Sequence, residues 1–117
     1  MARLSTHVLD TARGLPAQGV IVEVHIVRGG DRESLAIATT NAQGRTDAPL
    51  VSADRLEVGT YELTFHVGNY FKGLGTPLST PPFLDSVVVR VGIADAGGDY
   101  HIPLLISPYG YSTYRGT

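Results

Sequence analysis

Apolar residues recur at every second position through most of this chain, the period of half-buried β-strands. The clearest run is 20–28, where Val20, Val22, Val24 and Ile26 share one face and Ile21, Glu23, His25 and Val27 the other. Residues 4–10 set Leu4, Thr6 and Val8 against Ser5, His7 and Leu9. Tyr61, Leu63, Phe65 and Val67 alternate inward over 60–67, and 83–93 reads as a long strand with Val87, Val89 and Val91 on one face. Residues 34–40 form a weaker strand and 45–48 a very short one. Near the C-terminus, Tyr100, Ile102, Leu104 and Ile106 face away from Asp99, His101, Pro103 and Leu105. Ser107-Pro108-Tyr109-Gly110 then makes a turn, and Tyr111, Thr113, Arg115 and Thr117 alternate with Ser112, Tyr114 and Gly116, predicting a last strand that runs to residue 117.

Between these runs lie turn signals at Gly29-Gly30-Asp31 and Asn41-Ala42-Gln43-Gly44. Loops are expected over 11–19 and 49–59, and a proline-rich connector over 76–82. Only Asn69-Tyr70-Phe71-Lys72 suggests helix, one or two turns of it. Seven or eight short strands with so little helix predict an all-β sandwich, and counting alone points to an immunoglobulin-like topology.

Composition narrows this picture. The 117 residues, 43% of them hydrophobic, predict a single domain over 1–117 with one core. A net charge of −2 provides no basic field for nucleic acid. With no cysteine, disulfides and thiolate chemistry are excluded. The first residues hold no continuous apolar run of the signal-peptide type, and no stretch of about 18 apolar residues is present to span a membrane. The expectation is a soluble, cytoplasmic protein.

Chemistry is suggested at few positions. His7 and His101 fall on outward strand faces at opposite ends of the chain, which means little unless those strands are neighbours. Arg45 follows the glycine of a turn and offers a fixed cation with paired donors. The tail Tyr114-Arg115-Gly116-Thr117 is rich in recognition groups. His7, His25, His66 and His101 lack the short paired spacing of a zinc site, so no metal is expected. No Ser-His-Asp arrangement and no glycine-rich phosphate loop is evident.

Three motifs together carry a resemblance. Leu4-Ser5-Thr6-His7-Val8-Leu9-Asp10 continuing into Gly14-Leu15-Pro16-Ala17, then Gly44-Arg45, then His101-Ile102-Pro103-Leu104-Leu105 with Tyr114-Arg115-Gly116-Thr117, resemble the signatures of the transthyretin-like 5-hydroxyisourate hydrolases. The match runs in order along nearly the whole chain. It implies a two-sheet prealbumin-like (transthyretin) sandwich of seven to eight strands with one short helix, the first, penultimate and last strands sharing a sheet. It also implies hydrolysis of 5-hydroxyisourate, the unstable product of urate oxidation, without a cofactor, by water attack on a ring carbonyl and C–N cleavage. His7, Arg45 and His101 fall on the family's catalytic residues, and Tyr114, Arg115, Gly116 and Thr117 on its substrate-binding tail, with Thr117 also catalytic. On this resemblance His101 is the expected general base, His7 its partner or proton donor and Arg45 the substrate clamp; sequence does not decide which histidine takes the proton. A homotetramer, a dimer of dimers, is implied as well. The rival within the same fold is a small-ligand carrier of the transthyretin type, which lacks such a tail. Two positions depart from the family pattern: Thr117 replaces a serine, adding a methyl beside the hydroxyl, and Asp99 replaces a frequent histidine, adding a negative charge near His101.

Overall fold

The computed structural model describes residues 2–117. Two four-stranded sheets face each other. One has the order β2-β1-β7-β8 and the other β4-β3-β5-β6. The strands are β1 (Arg3–Asp10), β2 (Leu15–Pro16), β3 (Ile21–Arg28), β4 (Asp31–Thr39), β5 (Gly59–Phe65), β6 (Val87–Ile93), β7 (Asp99–Ser107) and β8 (Gly110–Thr113). One helix, α1 (Val67–Gly73), follows β5. The all-β sandwich with one short helix therefore holds, while the immunoglobulin-like topology suggested by counting does not: β1 runs parallel to β7, in register from Arg3↔Asp99 to Asp10↔Ile106.

The core forms where the alternating faces meet. Leu4, Val8, Val22, Leu63, Leu104 and Ile106 are fully buried. Burial of each such side chain is worth about 1.5–3 kcal/mol. Thr6, on the same inward face, is tolerated because its hydroxyl donates to the Ile102 carbonyl (2.7 Å). At the end of β1 the buried Asp10 accepts from the Ala12 and Arg13 amides, the Arg13 Nε and the Tyr70 hydroxyl. Its four acceptor positions are thus filled, and the helix residue Tyr70 is tied to the strand that carries the site.

Helix α1 begins without a side-chain cap, and its buried face is Val67, Gly68, Tyr70 and Phe71. It stops in a Schellman arrangement. Gly75, at φ 78°, donates to the Lys72 carbonyl (3.0 Å), and Thr76 donates to the Phe71 carbonyl (3.1 Å).

Several boundaries differ from expectation. β6 begins at Val87 rather than residue 83, and Phe83 is largely exposed. β4 starts at Asp31 and has a blurred alternation, for two reasons. It is an edge strand, and a bulge shifts its register between Val24↔Ala36 and His25↔Ser34, so that Leu35 has no partner. The expected loop 11–19 contains the two paired residues of β2. The very short strand at 45–48 reduces to one bridge, His7↔Arg45. The final strand ends at Thr113, not at residue 117. The cause is Pro103, which has no N–H to give the ladder. In the β7–β8 register it lies opposite Tyr114, and pairing resumes at the bridge His101↔Gly116.

The turn at 41–45 is pressed onto β1. The Val8 amide donates to the Gly44 carbonyl (2.8 Å), and Gly44 sits at φ 77°. A Cβ there would lie 2.3 Å from the Val8 carbonyl oxygen. Gly44→Ala therefore meets both a disfavoured backbone conformation and a backbone clash. It is expected to cost more than about 1 kcal/mol, lowering the melting temperature by several degrees in a calorimetric scan. An unchanged melting temperature would show that the turn is not held against β1.

Candidate active site

The outer face of β1 and β7 carries the candidate chemistry. Ser5 and His7 project from it on β1, and His101 stands directly opposite Ser5 on β7. The bridge His7↔Arg45 sets the arginine beside His7. Asn41 shapes this loop, its side-chain carbonyl accepting from the Gln43 and Arg45 amides (3.0 and 3.2 Å). A cavity of about 460 Å³ opens over this face, with Ser5, Arg45, His101, Gly116 and Thr117 in its lining. Arg3, Asp47 and Asp99 complete its charged rim.

His101 is held on two sides. Its Nδ1 lies 2.9 Å from the Ser5 Oγ. On the other side the Gly116 amide donates to the His101 carbonyl (2.7 Å), and a Cβ on Gly116 would come within 2.7 Å of the imidazole Cδ2. Only glycine lets the tail lie this close to the ring. His7 is fixed differently: its Nε2 is 2.9 Å from the Gln43 carbonyl oxygen. A carbonyl only accepts, so Nε2 carries the proton, and the neutral ring keeps its lone pair on Nδ1.

Both histidines have pKa values below the ordinary 6.5. For His101 the causes, in order, are burial, the Arg45 charge and His7, with Asp99 acting in the opposite direction. For His7 they are burial and then Arg45, partly offset by the Gln43 carbonyl. Asp99 does raise the basicity of His101, as its charge predicts, but its effect ranks below those three. It also faces Arg3 across 3.5 Å. Arg45 itself makes no ion pair among the described residues, which leaves its guanidinium available to a ligand. A cation flanked by two neutral imidazoles suits an anionic or enolate-like ring, and each imidazole is able to accept a proton near neutral pH.

The sequence-predicted residues do not all meet here. Arg45, His101, Gly116 and Thr117 line the cavity, and His7 flanks it beside Arg45. Tyr114 and Arg115 line a different cavity of about 380 Å³, against Val89, Val91, Tyr100 and Ile102. There the Arg115 guanidinium stacks over the Tyr100 ring at 4.4 Å and donates to the Asp99 carbonyl (3.4 Å). Ser5 lines the first cavity without having been singled out from sequence. Its available signal was its place two residues before His7 on the same strand face. His25 and His66 lie elsewhere, near Arg32 and paired with Glu23 respectively. Among the described residues no cluster of three His, Cys, Asp or Glu side chains is arranged to hold a metal.

The fold and this cavity define a two-sheet sandwich of the transthyretin type with an imidazole–guanidinium site on its outer sheet face. The HIUase/Transthyretin family model matches residues 4–116, and the chain belongs to that family. It is 54% identical to the 5-hydroxyisourate hydrolase of Deinococcus radiodurans, over 97% of this chain and 95% of that one. Among solved structures it superposes on the Klebsiella pneumoniae 5-hydroxyisourate hydrolase with a TM-score of 0.81, at 40% identity and full coverage of both chains. It superposes on transthyretin from Sparus aurata with a TM-score of 0.89, at 26% identity over 99% of this chain and 97% of that one.

The electrostatics are directly measurable. In an NMR titration both His7 and His101 are expected to protonate below pH 6.5. Arg45→Gln removes a positive charge that disfavours their protonated forms, so both midpoints should rise. They should stay below the ordinary value, because burial remains. Midpoints that do not move would show that Arg45 stands too far from the rings to act on them.

Proposed function

We propose that this chain hydrolyses 5-hydroxyisourate. The observation that carries the reading is that Arg45, His101, Gly116 and Thr117, from separate segments, line one open cavity, with His7 bridged to Arg45 at its side. The names of the relatives support the same substrate. Arg45 binds the ring and steadies the charge that develops on its carbonyl oxygen, since a guanidinium stays charged and offers a fork of donors. His101 accepts a proton from water as the water oxygen bonds to the ring carbonyl carbon. The C–N bond then breaks, and the proton returns from the imidazolium to the leaving nitrogen. His7, with its Nε2 proton engaged by Gln43, acts beside Arg45 as the partner of His101. Thr117, in the cavity lining, offers its hydroxyl to the ring, and Arg115, stacked on Tyr100, holds the tail that carries it.

The reading extends to assembly. The cavity lies on an open sheet face, and β6 and β8 are edge strands. Unpaired edges and an unroofed site both favour association with further copies, and we infer a homotetramer, a dimer of dimers, read out by light scattering after gel filtration. Residues 1–117 act as one domain, supported by a single cluster of buried residues drawn from both sheets. We assign the protein to the cytoplasm, to be checked by cell fractionation. No helix among the described residues is long and apolar enough to cross a membrane.

The test is to generate 5-hydroxyisourate from urate in situ and follow its decay by absorbance. The protein should accelerate that decay. His101→Asn should reduce turnover by about 10²–10⁴-fold with the fold intact, the usual contribution of a general base. Wild-type rates in that variant would remove His101 from the mechanism.

Deleting residues 114–117 gives a second test. These residues follow the last strand; their loss uncovers Tyr100, over which Arg115 stacks, but leaves Leu104 and Ile106 of β7 in the core between the sheets, so circular dichroism should still report a folded sandwich. Activity should be lost, because the tail is packed against His101. A small-ligand carrier would instead bind its ligand about as well after the cut, and a truncated protein that cleared substrate at the intact rate would exclude any role for the tail.

A further inference from the structure

We propose that Ser5 is the positioning residue of His101, accepting a hydrogen bond from Nδ1–H and so leaving the Nε2 lone pair to the cavity. The geometry is direct. Ser5 Oγ and His101 Nδ1 are 2.9 Å apart on paired residues of β1 and β7. Both residues line the cavity. No hydrogen bond within the protein engages the other ring nitrogen among the described residues.

Imidazole bases are commonly oriented by a partner on the nitrogen that does not react. A carboxylate in that place accepts strongly but adds a charge that favours the imidazolium. A hydroxyl accepts without adding charge. Burial and the Arg45 charge here hold His101 neutral, and Ser5 leaves that balance undisturbed. The neighbouring Asp99 carboxylate is turned to Arg3 instead (3.5 Å).

The proton inventory is simple. The resting ring has hydrogen on Nδ1, bonded to Ser5 Oγ, and a lone pair on Nε2. Water gives its proton to Nε2, forming the imidazolium, and Nε2 later delivers that proton to the leaving nitrogen. The Nδ1–H bond to Ser5 persists throughout, so Ser5 neither gains nor loses a proton. The contrast with His7 is built into the same sheet face. There the Gln43 carbonyl fixes hydrogen on Nε2, so neutral His7 has the opposite tautomer.

The kinetic part of this inference rests on the hydrolase reading, but the tautomer does not. In a long-range 1H–15N spectrum of the labelled protein at about pH 8, where both rings are neutral, His101 should show hydrogen on Nδ1 and His7 hydrogen on Nε2. Ser5→Ala should shift the His101 signals toward the Nε2–H form and leave those of His7 in place. It should lower kcat by about 10- to 100-fold with KM within about twofold, since orientation of the base and not ground-state binding is lost. Ser5→Thr keeps the hydroxyl and should restore both readouts. Hydrogen on Nε2 of His101 in the intact protein, or a Ser5→Ala variant with unchanged ring signals, overturns the proposal. A protein with the expected tautomers and no turnover would overturn the hydrolase reading instead and leave the Ser5 contact standing.

Discussion

Parallel pairing of β1 with β7 joins residues 3–10 to residues 99–106 across almost the whole chain, and His101 lies beside Ser5 and near His7 only because of it. Parallel strands have no short connection between them, so their alignment must come from the side chains they bury. Leu4 and Val8 on β1, and Leu104 and Ile106 on β7, are all fully buried. A slip of either strand by one residue would turn its own buried pair to the outer face and drive its own site residues into the core. At about 1.5–3 kcal/mol for each buried side chain, that penalty exceeds anything the polar face contributes. The inner face thus fixes the register, and the outer face inherits its geometry.

That division explains what was legible in the residues. Strong alternation, as in 20–28 and 60–65, comes from side chains with one face in the core, and the structure follows it closely there; the expected continuation of the strand to Val67 fails because Val67, though buried, opens α1. The helix at Tyr70 and Phe71 was legible for the same reason, since its buried face interrupts the strand period. What sequence missed were features decided by the backbone or by a partner far along the chain. The bulge in β3–β4 has no side-chain signature. Pro103 is visible, but its effect on pairing at Tyr114 depends on a register that the sequence does not state. Ser5 was read as a polar face residue because its partner, His101, lies at the other end of the chain.

The tail shows the same dependence. A continuous alternating strand would have kept Arg115 in the ladder through residue 117. Because Pro103 supplies no donor, the chain leaves the ladder after Thr113 and is held by other means: Arg115 stacks on Tyr100 and reaches the Asp99 carbonyl. Gly116 is then returned to the β7 edge at His101. Tyr100 and His101 are consecutive and face opposite ways, so β7 is gripped on its inner side by Arg115 and approached on its outer side by Gly116. The cation thus anchors the segment, and the residue without a side chain lies against the imidazole.

Charge around the cavity is arranged to keep a base neutral while holding a cation nearby. These are opposed demands only if the cation is satisfied elsewhere. Arg3 is drawn to Asp99 and Arg13 to Asp10, whereas Arg45 has no carboxylate partner among the described residues. Its uncompensated charge lowers the proton affinity of both imidazoles and would be offset by an anionic ring in the cavity. Binding such a ring would then raise the proton affinity of His7 and His101 at the moment a proton has to be accepted from water. Arg45 alone favours neutral imidazoles, and an anion set beside it would favour their protonation. Both follow from Arg45, whose place beside His7 is set by a turn that glycine alone allows to lie against β1.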